Sequence, residues 1–278
     1  MPGSTGCTRS KESHMVLTLD VVTLGAPEVP AAGTFYATAL SPAVTGDGDA
    51  VSLDLHGTAR LDVAATGSLA ADAGADPVTS GFRGYLLTYT VNQPTEVRTL
   101  MDAAVRGGAE VVKPARKALF GSFSGVFRAP DGALWKLAAA TGKDTGPAAE
   151  APLPAETTVI LGVATPKASR AFYEALGMTA DRDYGNKYID FHPAKAAARL
   201  CLMERGVLAR DAGTGKDGDG FPAMVLTHTA ESRADVDALL AAAAAAGGRV
   251  TVAAAEISGG RYRGSFTDPD GFWWEVVH

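Results

Sequence analysis

Apolar and polar positions in the second half of the chain follow two periods, and these predict strands and helices in a regular order. PKASRAFYEALG and ESRADVDALLAAAAAAGG have the spacing of helices, the first opening on a proline and stopping at Gly177. Short alternating runs predict strands, in order TTVILGVA, NKYIDFHP, ARLCLMER, FPAMVLTHTA, RVTVAAAE, RYRGSFTD and GFWWEVVH. The order is read as β-α-β-β-β twice, with a Gly- and Asp-rich loop at 207–221 between the two units.

The first half of the chain repeats this pattern. ARLDVAATGSLAADAG matches ARLCLMERGVLARDAG, and LLTYTVNQPTEVRTL from Leu86 matches VLTHTAESRADVDAL from Val225, both at an offset of 139 residues. The frame F-x-x-P-D-G-x-x-W also occurs twice, with Lys136 in the first copy where the second has Glu275. Several blocks in one order at one offset indicate a tandem duplication.

The repeat sets the predicted domain boundaries. Domain one spans residues 16–140 and domain two spans 155–278, joined by a linker at 141–154 that is rich in Ala, Gly, Pro and charge. Residues 1–15 are polar and contain no apolar segment, so they are expected to be a tag or disordered tail rather than a secretory signal.

Composition and charge exclude several classes of partner. The formal net charge of −6 over 278 residues argues against a nucleic-acid surface, which needs clustered Lys and Arg. No run of about 18 apolar residues is present, so no membrane partner is expected. The two cysteines, Cys7 and Cys201, cannot form a disulfide framework, which favours a cytoplasmic location. A small molecule is the expected partner.

Three features of these repeats resemble the vicinal oxygen chelate superfamily, which includes glyoxalases, bleomycin-resistance proteins and extradiol dioxygenases. They are the F-Y-x-x-x-L helix motif (Phe172, Tyr173, Leu176), the Gly-rich helix ends and the terminal D-P-D-G-x-x-W-E. The resemblance covers nearly all of residues 16–278. It implies an α+β fold of two tandem glyoxalase-like domains, built from four βαβββ units, with each domain curling a mixed sheet around a cavity. A monomer is expected, because the internal repeat can replace a homodimer.

The resemblance also implies four metal-ligand positions, on the first and last strands of the units, usually His and Glu. In the second repeat they fall on Thr158, Cys201, Val225 and Glu275. In the first repeat they fall on a residue among 19–21, with Asp20 one occupant, and on Asp62, Leu86 and Lys136. Thr, Val, Leu and protonated Lys are poor ligands for a divalent ion, so the set is incomplete and no metal cofactor is expected.

Two functions follow as hypotheses. The first is a metal-independent binder that holds a hydrophobic or aromatic ligand in a sheet-lined cavity. The second is a lyase, isomerase or dioxygenase in which Glu275 acts as a metal ligand or general base. A third view makes domain one a structural partner of domain two. The candidate ligand-binding residues are Trp273, Met203, Cys201, Thr158, Tyr85, Lys136, Asp62 and Phe221.

Several of these residues also have simple structural interpretations. Glu275 could be paired with an arginine, and Asp62 with Lys136 across the cavity floor. Trp273 could stack on a planar ligand. His228 is expected to face away from the cavity, since it lies three residues after the ligand position Val225 on the same strand. The loop at 207–221 is either a lid or a plain surface loop.

Overall fold

The computed structural model describes residues 16–45, 50–117, 122–257 and 259–278, and within these ranges it contains eighteen strands and six helices. The predicted tail at 1–15 lies outside the described residues. The predicted α+β fold with four βαβββ units is confirmed.

The elements of the four units follow one another along the chain. Unit 1 consists of β1 (Val21–Ala26), α1 (Val29–Leu40), β2 (Ala43–Thr45), β3 (Ala50–Asp54) and β4 (Arg60–Ala65), and is followed by α2 (Thr66–Ala73) and β5 (Thr79–Gly81). Unit 2 consists of β6 (Tyr85–Val91), α3 (Pro94–Arg106), β7 (Glu110–Lys117), β8 (Phe123–Arg128) and β9 (Leu134–Ala139). Unit 3 consists of β10 (Glu156–Val163), α4 (Pro166–Ala175), β11 (Ala180–Asp183), β12 (Ile189–Phe191) and β13 (Arg199–Glu204), and is followed by α5 (Arg205–Ala212) and β14 (Gly218–Gly220). Unit 4 consists of β15 (Met224–Thr229), α6 (Arg233–Ala245), β16 (Arg249–Glu256), β17 (Tyr262–Thr267) and β18 (Trp273–Val277).

The units pair differently from the expectation that each repeat curls its own sheet. One eight-stranded sheet, sheet A, joins unit 4 to unit 1 through the antiparallel pair β15 and β1. The other, sheet C, joins unit 3 to unit 2 through the antiparallel pair β10 and β6. Each sheet therefore takes one unit from each sequence repeat, and the two repeats interlock.

The helical faces of both sheets and the four long helices share one hydrophobic core. In this core α1 packs on α3, and α4 packs on α6. The two units of one repeat therefore meet through their helices, although they belong to different sheets. The largest fully buried side chains of this core include Trp135 and Trp274. Because side chains alternate along a strand, both indoles lie on the face opposite Lys136 and Glu275.

Tyrosine–aspartate hydrogen bonds hold both copies of the frame to this core, although the first uses the aspartate of P-D-G and the second uses the aspartate that precedes it. The hydroxyl of Tyr36 donates to Asp131 at 2.6 Å, and the hydroxyl of Tyr173 donates to Asp268 at 2.6 Å. The indole of Trp274 donates to the Tyr173 oxygen at 3.3 Å. Each bond ties the helix of one unit to the turn that precedes the last strand of the next unit. The glycines of these turns have φ of 87° and 90°, which suits glycine because it has no Cβ.

The Asp268 carboxyl gives the stability a specific pH dependence. Burial raises the pKa of Asp268 to about 7, against the bonds from Tyr173 and the backbone that lower it. The unfolded value is near 3.9, so between about pH 4 and pH 7 the folded state binds more protons than the unfolded state. We expect this group to lower the free energy of unfolding as the pH rises through that window, by up to about 1.4 kcal/mol per pH unit.

Urea unfolding at several pH values from 4 to 8 measures this slope. Asp268→Asn should flatten the profile relative to the unchanged protein, whereas Asp217→Asn, an exposed carboxylate, should leave it unchanged. Parallel profiles for the unchanged protein and Asp268→Asn would contradict the assignment.

Two short helices cover the faces of the sheets that point away from the core, which we call the concave faces. Leu69, Ala70 and Ala73 of α2 pack on sheet A, and Leu208, Ala209 and Ala212 of α5 pack on sheet C. The antiparallel pair β5 and β14 joins the two segments that contain these helices. The segment 207–221, which the sequence predicted to be a loop, thus contains most of α5 and then β14. Sequence periodicity missed α5 because an eight-residue helix is stabilised mainly by its packing.

Both covering helices approach a strand where the strand has a glycine. A Cβ on Gly162 would lie 3.2 Å from Leu208 and 2.8 Å from the carbonyl oxygen of Gly84. A Cβ on Gly25 would lie 3.1 Å from the Thr66 hydroxyl at the start of α2. The helices therefore lie directly against the central strands of the concave faces.

Candidate functional site

The interlocked topology regroups the predicted ligand positions. Asp62, Val225 and Glu275 lie together on the concave face of sheet A. Thr158, Cys201, Leu86 and Lys136 lie on the concave face of sheet C, beside Met203. Each set thus contains positions from both repeats. The proposed ion pair between Asp62 and Lys136 is wrong, because these residues lie on different sheets.

Glu275 is tied to α2 through an arginine. Its carboxylate accepts a hydrogen bond from Arg263 Nη1 at 2.9 Å, and Arg263 Nη2 lies 3.2 Å from Asp72 Oδ1. The Glu275 side chain is 23% exposed, so the group is only half-buried. The structure therefore places this candidate base in a carboxylate–guanidinium–carboxylate chain that fastens α2 to the sheet.

Asp62, the second acidic residue on the concave face of sheet A, also has hydrogen-bond partners. It accepts hydrogen bonds from the Ser52 hydroxyl and from Arg60 Nε, the latter at 3.1 Å. Asp20, a further candidate, precedes β1 and accepts from the Thr229 amide at 2.7 Å. Burial alone would raise the pKa of the Asp20 carboxyl. Hydrogen bonds from His228, Thr229 and Thr18 outweigh this effect, so the net pKa is below its ordinary value.

Trp273 and Phe221 form the apolar part of sheet A under α2. Their rings meet edge to face at 5.4 Å, and the Trp273 indole donates to the carbonyl oxygen of Ala73 at 2.9 Å. Both side chains contact the cluster that contains Leu69. In this arrangement α2 covers part of the indole, and Trp273 remains half-buried at the wall of a second cavity of about 310 Å³.

The ion pair of Lys136 with the covering helix accounts for the change of charge between the repeats. Its ammonium lies 2.8 Å and 3.0 Å from the two carboxylate oxygens of Asp211 in α5. Asp211 stands 139 residues after Asp72, which is the acidic residue of α2. The lysine of sheet C therefore bonds directly to the acidic residue of its covering helix, whereas Glu275 in sheet A needs Arg263 between two carboxylates.

Cys201, Thr158 and Met203 lie under or beside α5. The Cys201 thiol is fully buried and lies 3.0 Å from the Tyr188 hydroxyl, and burial raises its pKa. Thr158 is buried and donates to Glu156 at 3.2 Å. Met203 packs partly buried against the same cluster. A thiol held protonated by burial is a packing group rather than a nucleophile.

Tyr85 and His228 lie on the other faces of their strands. Tyr85 is 1% exposed in the helical core, so its assignment to the cavity lining is wrong. It is the strand neighbour of Leu86, and adjacent side chains point to opposite faces. His228 faces away from the concave face as predicted, and its Nδ1 lies 2.8 Å from the Thr18 hydroxyl and 3.1 Å from the Thr18 amide nitrogen.

The residues at these positions do not fit the divalent metal that the sequence resemblance implies. Among the described residues, no three His, Cys, Asp or Glu side chains converge as a ligand group. In sheet A both carboxylates are paired with arginines, and in sheet C the last-strand position is the cation Lys136. Structural and catalytic metal sites need three or four such donors, so neither sheet offers a suitable donor set.

A cavity of about 500 Å³ remains on the concave face of sheet C, at the end that α5 leaves uncovered. Its lining includes Lys136 and Asp211 together with Lys113, Arg116 and Lys117 of β7. Sequence reasoning missed the three β7 cations. The signal was present, because the matching positions of β16 are Val252, Ala255 and Glu256 and so the repeats differ strongly in charge here.

These features define a protein of two sheets and four βαβββ units, in which short helices cover the concave faces of the sheets. Residues 157–276 match the family model of the Glyoxalase/Bleomycin resistance protein/Dioxygenase superfamily. This match covers the second repeat, and it confirms the resemblance seen in the sequence there. A search of curated proteins found no match to the chain.

Solved structures support the fold over both repeats. Glyoxalase I from Zea mays is similar with a TM-score of 0.60 and 16% identity, covering 94% of this chain and 92% of that one. A putative dioxygenase from Bacillus subtilis subsp. subtilis str. 168 is similar with a TM-score of 0.58 and 14% identity, covering 95% and 84%. At these identities the likeness concerns the fold alone. None of the helices among the described residues is long and apolar enough to cross a membrane.

Proposed function

We propose that the chain is a metal-independent small-molecule-binding protein of the glyoxalase/bleomycin-resistance type. The proposal rests on one observation: several of the predicted metal-ligand positions at the centres of the sheets hold residues that are poor metal ligands. Where a metal enzyme of this fold needs a convergent donor set, sheet C has Thr158, Leu86 and Lys136 beside the fully buried thiol of Cys201, while a cavity of about 500 Å³ remains on the same face. That volume is in the range of small-molecule sites.

The ligand of this proposal has an apolar or aromatic part that lies against sheet C. The cavity wall offers Val126, Gly125 and the ring of Pro114, together with the alkyl stem of Lys136. The apolar lining predicted from the sequence is closer to the sheet centre and is covered by α5. The ligand would therefore lie at the edge of α5 rather than under it.

The metal content of the purified protein tests the first half of the proposal. We expect less than about a tenth of an equivalent of any transition metal by plasma mass spectrometry, on protein prepared without chelator or a metal-affinity step. About one equivalent that is lost in Glu275→Ala would contradict the proposal. It would instead direct the search to a lyase, isomerase or dioxygenase.

Ligand binding tests the second half. A panel of small aromatic and aliphatic compounds should contain members that raise the melting temperature, because a ligand at a hundred times its Kd stabilises the folded state by about 2.7 kcal/mol. Unchanged melting temperature and tryptophan fluorescence across the whole panel would count against a small-molecule function.

A further inference from the structure

The cavity on sheet C concentrates positive charge on a protein whose net charge is −6. Four cationic side chains line it against one carboxylate: Lys113, Arg116, Lys117 and Lys136 against Asp211. Ser124 adds a hydroxyl to the same wall. A concave site lined by one sign of charge attracts ligands of the opposite sign.

The four cations are not equally available to a ligand. Lys113 donates to the carbonyl oxygens of Arg210 and Asp211, at 2.6 Å and 2.7 Å, and so holds the end of α5. Arg116 and Lys117 are exposed, and their side chains have no ion-pair partner among the described residues. Arg116, which pairs with Ser124, thus faces the cavity without an ion-pair partner among the described residues, whereas Lys117 pairs with Phe123 and its side chain points to the other face of the strand.

Lys136 has a partner that a ligand could replace. The Asp211 carboxylate contacts it with both oxygens and remains 34% exposed, so the pair is accessible from the cavity. Beside Lys136 on the same face, Thr88 is 8% exposed, and its hydroxyl has no hydrogen-bond partner among the described residues. A buried hydroxyl without a partner indicates a place for a further polar group.

We propose that this cavity binds a small organic anion, whose carboxylate or phosphate group is held by Arg116 and Lys136 in competition with Asp211. This inference rests on the proposed small-molecule-binding function and adds the class of ligand. The planar guanidinium of Arg116 suits two-point contact with an oxyanion. The Asp211 side chain occupies the Lys136 part of the site when no ligand is bound.

Sheet A supplies the internal comparison. At its equivalent edge β16 has Val252, Ala255 and Glu256 in place of the three β7 cations, and Glu275 in place of Lys136. The fold therefore does not require cations at these positions. Edge strands use lysine to prevent aggregation, and Lys117 on the edge strand β7 suits that role. Edge protection does not account for Lys136, which lies on the inner strand β9 and bonds to α5.

Isothermal titration with three matched probes tests the inference: isophthalate, phenyl phosphate and the neutral benzamide. At least one anion should bind while benzamide does not, and the stronger of the two anions identifies the favoured group. Arg116→Met and Lys136→Met should each weaken anion binding about tenfold, the effect expected for a charged hydrogen bond. Asp211→Asn should strengthen it about threefold, because it removes the competing carboxylate.

Arg261→Met is the matched control. It removes one exposed cation near the corresponding edge of sheet A, so the net charge changes as in Arg116→Met while the cavity is untouched. Anion affinity should be the same as in the unchanged protein. Circular dichroism of each variant separates a lost contact from a lost fold.

Each outcome decides the inference. Equal binding of benzamide and the anions, unaffected by Arg116→Met, would overturn the anionic class and leave the small-molecule function standing. No binding of either anion would also overturn it, and the wider compound panel would then decide the proposed function separately. Weaker anion binding by a folded Asp211→Asn variant would overturn the inference that Asp211 competes with the anion for Lys136.

Discussion

Replacing Leu208 by alanine is expected to lower the free energy of unfolding by about 2–5 kcal/mol, the usual cost of truncating a buried leucine. Leu208 is fully buried and anchors α5 on the concave face of sheet C. An eight-residue helix has little stability of its own, so its amides should also exchange hydrogen faster when this anchor is lost. Urea unfolding and hydrogen exchange measure the two effects.

The chain provides two comparisons for this variant. Leu69→Ala is the equivalent change in α2, and its effect should be smaller because Leu69 is 9% exposed. Arg210→Ala lies on the exposed side of α5 and should change stability by no more than about 0.5 kcal/mol. If Leu208→Ala unfolds like the unchanged protein, α5 does not depend on this packing.

The second large effect is expected from Arg182→Met, which should lower the free energy of unfolding by about 2–4 kcal/mol. The Asp190 carboxylate is 0% exposed and forms an ion pair with the Arg182 guanidinium. It also accepts from the Arg182 amide at 2.9 Å and from the Tyr188 hydroxyl at 3.1 Å. Without this guanidinium the buried carboxylate keeps only the more distant Arg199, whose Nη1 lies 3.8 Å from Oδ1, as an arginine partner.

The double variant Arg182→Met with Asp190→Asn separates charge from packing. Most of the loss should be recovered, because a neutral amide needs no counterion. Arg170→Met removes an arginine whose partners Glu174 and Asp183 are 38% and 34% exposed, unlike the buried Asp190, and it should cost no more than about 1 kcal/mol. A double variant as unstable as the single one would show that the arginine acts through its alkyl packing.

The exchange of Lys136 for Glu275 illustrates how a repeat can diverge without losing its fold. The frame around both residues is held by the tyrosine–aspartate bonds of the core, on the opposite side of the strand. The concave side is then free to change, provided that each charge keeps a partner on the covering helix. Lys136 meets Asp211 directly, and Glu275 meets Asp72 through Arg263.

The candidate site was predicted only in part. The family resemblance implied that Glu275, Lys136, Asp62 and Cys201 face the cavities, and alternation along the last strands then placed Trp135 and Trp274 on the opposite face. It could not indicate their neighbours. The partners Arg263 and Asp211 are remote in sequence, and α5 has no periodicity that distinguishes it from a loop.

The sequence by itself determined most of the local structure and the resemblance to the superfamily. The hydrophobic periods, the helix stops and the P-D-G turns gave four βαβββ units, and their shared offset gave the duplication. Only the tertiary structure decided that unit 1 pairs with unit 4 and unit 2 with unit 3, and that α2 and α5 cover the concave faces. The reason is physical: four similar units present the same apolar pattern, which specifies that a face is buried but not which partner buries it.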